Sequence, residues 1–228
     1  MAEKNKLMIN GQSVTIYPCA QADRPVIYLN EFQGDGQGVY ERLKKDGDLP
    51  CSLIVICSDD WNRDMSPWEI PPVMKNDAPY TGGADAYIRF LFDQVMQAAE
   101  QYVPGHACWR GLAGYSLAGL FAVYSLYRVD VFDRIASVSG SLWYPGFQEY
   151  VQTHDRKGEP EAVYFSLGDT EKKTRNPYMK TVQDCTQAIY EEFKKQKIHT
   201  TFELNPGNHF QDPDGRLVKG IQWLLTGH

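Results

Sequence analysis

The sequence predicts an α/β fold with a mostly parallel central sheet of about eight strands flanked by helices. Three observations predict it. Short apolar runs recur along the chain. Helical patterns separate them, so strands and helices alternate. Several runs are apolar at every position, as strands covered on both faces must be. Strands are expected over residues 6–9, 14–17, 26–29, 52–57, 108–113, 135–139, 162–167 and 200–204. Between them, Ile88, Leu91, Val95, Ala98 and Tyr102 recur at three- and four-residue steps and share one helix face. Met179, Val182, Ile189 and Phe193 form a second such face, and Leu217, Val218, Ile221, Leu224 and Leu225 a third. Residues 114–127 are helix-compatible and apolar nearly all round, which predicts a buried helix.

Bulk properties narrow the class. The chain has 228 residues, 43% hydrophobic and 23% charged, which fits one soluble globular domain over 1–228 with a sizeable core. Its net charge of −6 lacks the basic footprint of a general nucleic-acid binder. No apolar run approaches the roughly 18 residues that a membrane helix needs. The first residues lack a signal-peptide core, so the expected location is cytoplasmic. The five cysteines are odd in number and form no Cys-x-x-Cys pair, which predicts free thiols rather than disulfides or metal ligands. Cys51, Cys57 and Cys108 fall at or within strand runs and are expected to be buried. Gly34-Asp35-Gly36-Gln37-Gly38 is no dinucleotide loop, because Val39 stands where a third glycine belongs. Neither a cofactor nor a metal is expected.

In a parallel sheet the site lies just past the carboxyl ends of the strands, and those segments carry the chemistry here. After the run over 108–113 comes Gly114-Tyr115-Ser116-Leu117-Ala118-Gly119, a serine between a strand and a small-residue helix, as in a nucleophile elbow. A serine hydroxyl needs a base to take its proton. His209, after the last strand, is the candidate base; His106 and His199 sit at the opposite sheet edge, His154 in a polar loop, and His228 at the terminus. An acid to orient the base is expected after the strand over 162–167, where Glu171 competes with Asp169. The backbone N–H groups of Leu117 and of Phe32, or else Glu31, are the expected oxyanion donors. Trp61, Trp68, Trp143 and Tyr144 either wall a substrate pocket or pack loops onto the body. Arg63 either meets an anionic substrate group or pairs with Asp60 or Asp64.

Taken together, residues 114–121, 64–68, 82–87, 166–171 and 207–210 resemble, in order, the esterase family of α/β-hydrolases that is related to esterase D and includes the enterochelin and salmochelin esterases. The resemblance spans roughly residues 25–225. It implies an α/β-hydrolase fold, Ser116 as nucleophile, His209 as base, and ester hydrolysis without metal or organic cofactor. Substrates in that group include siderophore lactones, hydroxycinnamoyl esters and acetylated sugars, so the implied partner is a small-molecule ester. The chain leaves little room for a helical lid, which predicts an open pocket. An acyltransferase using the same acyl-enzyme and a non-catalytic binding protein are the alternatives that the sequence leaves open.

Overall fold

The computed structural model describes residues 3–44, 48–74 and 78–226; His228 lies outside them. Ten strands are described: β1 (Asn5–Ile9), β2 (Gln12–Tyr17), β3 (Val26–Glu31), β4 (Ser52–Cys57), β5 (Glu69–Ile70), β6 (Tyr80–Thr81), β7 (Arg110–Tyr115), β8 (Arg134–Val138), β9 (Ala162–Gly168) and β10 (His199–Asn205). Eight form one sheet in the order β1-β2-β4-β3-β7-β8-β9-β10, and β5 and β6 make a separate small hairpin. β1 and β2 pair antiparallel, as do β2 and β4; every later pair in the large sheet is parallel.

The helices are α1 (Gln37–Leu43), α2 (Trp61–Asp64), α3 (Ala84–Phe90), α4 (Gln97–Ala99), α5 (Leu117–Ser125), α6 (Phe147–Thr153), α7 (Val182–Lys195) and α8 (Pro213–Leu225). Successive strand side chains point to opposite faces. Tyr28, Ile54, Leu112, Ile135 and Val163 pack on one face with α3, α5, α6 and α7. Ile27, Leu53, Ala113, Ala136 and Tyr164 pack on the other with α1 and α8. Both faces are core, so the strand sequences are apolar throughout.

Three local expectations are corrected. The strand expected over 108–113 runs instead from Arg110 to Tyr115. Gly114 and Tyr115 read locally as the start of a helix, but Gly114 pairs with Asn30 of β3 and Tyr115 with Val138 of β8. The ladders on both sides thus carry the strand to the residue before Ser116. Cys108 accordingly lies outside the strand and is exposed, while Cys51 is buried and Cys57 half-buried. Finally, Tyr102 leaves the core face and is 41% exposed, while Ala99 and Val103 are buried. A π-helical stretch at Leu91–Met96 is the cause, because its extra residue per turn shifts the phase of everything after it.

Candidate active site

The parallel register brings the carboxyl ends of β3, β7, β8, β9 and β10 to one edge. β7 ends at Tyr115 and α5 begins at Leu117, so Ser116 alone turns the chain. Its backbone lies at φ 58°, ψ −121°, a region that costs a non-glycine residue about 1–3 kcal/mol and persists only where surrounding structure enforces it. The enforcement is visible at Gly114: a Cβ there would collide with the backbone and Cβ of Ala118. Strand and helix therefore cross at backbone contact, and the Ser116 side chain stands at the sheet edge.

Ser116 Oγ lies 3.1 Å from His209 Nε2. His209 Nδ1 lies 2.8 Å from Glu171 Oε2. The histidine rides on the segment after β10, where its carbonyl accepts a 2.6 Å hydrogen bond from the Tyr115 hydroxyl. Glu171 belongs to the turn after β9, closed by its N–H donating to Gly168 O at 3.1 Å. Its side chain is 4% exposed. Burial pushes its pKa up, but hydrogen bonds with His209, the Gly168 N–H and Ser139 outweigh this, and the carboxyl is held below its ordinary range. The second carboxylate of that turn faces elsewhere. Asp169 is exposed, and its Oδ1 accepts from the Gly207 N–H at 2.9 Å, tying the turn to the loop after β10.

A cleft of about 990 Å³ opens over Ser116. Leu117 and Phe32 both line it. Leu117 heads α5, so its N–H is one of those with no acceptor inside the helix. Of the aromatic residues considered from sequence, Trp61 and Trp143 line the cleft. Trp68, Tyr144 and Arg63 do not, a correction with a packing cause. The Trp68 indole donates to Pro145 O at 3.0 Å, its ring packs among Tyr124, Tyr144, Phe147 and Tyr150, and Tyr144 donates back to Trp68 O at 2.7 Å. Arg63 is held by Asp64, at 2.8 Å, and by Asp60.

Sequence reading missed Arg216 and Ser139, and it named Glu31 only as an alternative backbone donor. Glu31 ends β3, lines the cleft, and has its pKa pushed up to about 7 by burial and by the neighbouring Asp214 and Asp35 carboxylates. Ser139 bears no sequence signal. Arg216 does: it is a cation in the first turn of a helix, where the helix dipole disfavours it. Among the described residues, no group of three or more His, Cys, Asp or Glu side chains gathers as a metal site would, and no helix is long and apolar enough to cross a membrane.

The sheet order, with its antiparallel start and parallel remainder, and a serine at the sharp turn after β7 define an α/β-hydrolase fold. The family model described as "Putative esterase" matches residues 26–212, and the chain belongs to that family; it is a carboxylic ester hydrolase. The uncharacterized protein YbbA of Bacillus subtilis (strain 168) is 21% identical over 213 residues, covering 88% of this chain and 85% of its own. An IroE-like serine hydrolase from Shewanella oneidensis superposes with a TM-score of 0.78 at 17% identity, over 98% of this chain and 79% of the other. The siderophore hydrolase EstA from Aspergillus nidulans does so with a TM-score of 0.74 at 16% identity, over 98% and 93%.

Proposed function

We propose that the chain is a serine esterase that works through an acyl-enzyme, with Ser116 as nucleophile, His209 as general base and acid, and Glu171 as the acid that orients His209. The observation that carries this reading is the continuous hydrogen-bond path from Ser116 Oγ through both ring nitrogens of His209 to the buried Glu171 carboxylate. Ser116 Oγ attacks the ester carbonyl while His209 Nε2 takes the hydroxyl proton. The resulting oxyanion is held by the N–H groups of Leu117 and Phe32. Collapse breaks the bond to the alcohol, which leaves with the proton from His209. A water molecule, deprotonated by His209, then attacks the acyl-serine and releases the acid. Glu171 holds the imidazole in the tautomer with its proton on Nδ1 and stabilises the imidazolium that forms.

The substrate we infer is a soluble ester: a hydroxycinnamoyl ester, a catecholate-siderophore ester or an acetylated sugar. The lining favours the aromatic classes, for Phe32, Trp61, Tyr80, Trp143 and Phe210 line the same cleft as Ser116. Phe210 is 84% and Phe32 57% exposed, and large apolar side chains left exposed beside a cleft mark contact with a ligand. The structural likeness to a siderophore hydrolase keeps that ester class among the candidates.

Hydrolysis of p-nitrophenyl acetate and butyrate by the wild type and by Ser116→Ala tests the reading. Activity is expected to fall by on the order of 10⁴ or more in Ser116→Ala and in His209→Ala. Glu171→Gln is expected to lose at least about a hundredfold, and Asp169→Asn less than about threefold. Wild-type activity in Ser116→Ala overturns the mechanism; a larger loss in Asp169→Asn than in Glu171→Gln overturns the choice of acid.

A further inference from the structure

Arg216 projects from the first turn of α8 into the space behind Glu171, and its side chain is 4% exposed. A buried cation at the positive end of a helix needs compensation on every side. Arg216 Nη1 lies 3.1 Å from Glu171 Oε1, the oxygen turned away from His209. The same nitrogen donates to Ser139 Oγ at 3.1 Å and to the Tyr115 hydroxyl at 3.3 Å. Nη2 donates to Pro206 O at 2.9 Å. Each of those groups leads back to the site. Ser139 Oγ donates its own hydrogen bond to Glu171 Oε1 at 2.8 Å. Tyr115 holds the His209 carbonyl. Pro206 lies in the segment that carries His209. The guanidinium also lies against Gly168, where a Cβ would stand 2.9 Å from Nη2, so the turn that carries Glu171 is shaped around it.

We propose that Arg216 is a positioning residue of the site: one guanidinium grips the far oxygen of Glu171 and, through Tyr115 and Pro206, the main chain that bears His209, so acid and base are held in register from a single buried point. The inference rests on the Ser116–His209–Glu171 reading above. Arg216 touches neither Ser116 nor the cleft and acts only through its partners.

Two consequences separate positioning from a merely structural role. First, Arg216 acts through Glu171, so the losses from the two residues are not additive. Second, Arg216 holds acid and base in register without reaching the cleft, so its loss falls on kcat and leaves KM little changed.

The experiment compares kcat and KM of the wild type, Arg216→Met, Glu171→Gln and the double variant on p-nitrophenyl butyrate, with Ser116→Ala as the control for the underlying reading. Arg216→Met is expected to lose about a hundredfold in kcat at little change in KM, and to add less than about threefold to the loss of Glu171→Gln. Arg216→Lys keeps the charge but cannot reach Glu171, Ser139, Tyr115 and Pro206 together; it is read in place of Arg216→Met if that variant does not fold, and it is expected to lose at least about tenfold in kcat at little change in KM. Wild-type kcat in the folded Met or Lys variant, or fully additive losses in the double variant, overturns the proposal. If those results come with an inactive Ser116→Ala, only the role of Arg216 falls; if Ser116→Ala is fully active, the reading beneath it falls.

Discussion

Replacing Glu31 by glutamine should stabilise the protein at alkaline pH and leave it unchanged in acid. Glu31 sits half-buried at the end of β3, and burial, with Asp214 and Asp35 nearby, raises its pKa from an ordinary 4.5 to about 7. In the unfolded chain the carboxyl ionises near the ordinary value. Between these two values the folded protein holds a proton that the unfolded chain has released. Stability contributed by this group is therefore complete below the unfolded value and is lost as pH rises through the window to about 7; above it the penalty is constant. The rise of about 2.5, at roughly 1.4 kcal/mol for each pKa unit, bounds the penalty at about 3.5 kcal/mol. Partial exposure reduces it to about 1–2 kcal/mol. Glutamine cannot ionise and avoids the penalty. At about 2–4 °C per kcal/mol for a chain of this size, thermal unfolding should place Glu31→Gln about 2–8 °C above the wild type at pH 8.5 and within about 1 °C of it at pH 4.5. Equal Tm values at pH 8.5, or a larger gap in acid than in base, would refute the reasoning.

Two further outcomes are expected. Gly114→Ala drives a Cβ into the backbone of Ala118, which no rotamer change relieves; it should cost at least about 2 kcal/mol, read as a fall in Tm and in fluorophosphonate labelling of Ser116. Trp68→Ala should lower stability by about 2–4 kcal/mol without altering KM for a naphthyl ester, whereas Trp61→Ala should raise that KM severalfold with little change in Tm.

The fold was legible wherever one strand could be read without its neighbours. The run at Ser52–Cys57 is apolar on both faces because helices cover both, and its bounds match the sequence expectation. Legibility failed where a neighbour decided. Gly114-Tyr115 is strand only because β3 and β8 supply its hydrogen bonds, and Tyr102 leaves the core because the π-helical stretch Leu91–Met96 in the same helical segment changes the phase.

The site divides the same way. Order along the chain is a local property, so a serine after one strand, carboxylates after another and a histidine after the last can be read directly from the sequence. Which of Glu171 and Asp169 meets His209 depends on the direction a turn presents its side chains after β9 docks beside β10. Whether Trp61 or Trp68 walls the cleft depends on which loop packs over which helix. The role we infer for Arg216 needs Tyr115, Ser139, Glu171 and Pro206 within hydrogen-bonding reach of one side chain. These residues are distant in sequence, and only the parallel register brings them together at one edge of the sheet.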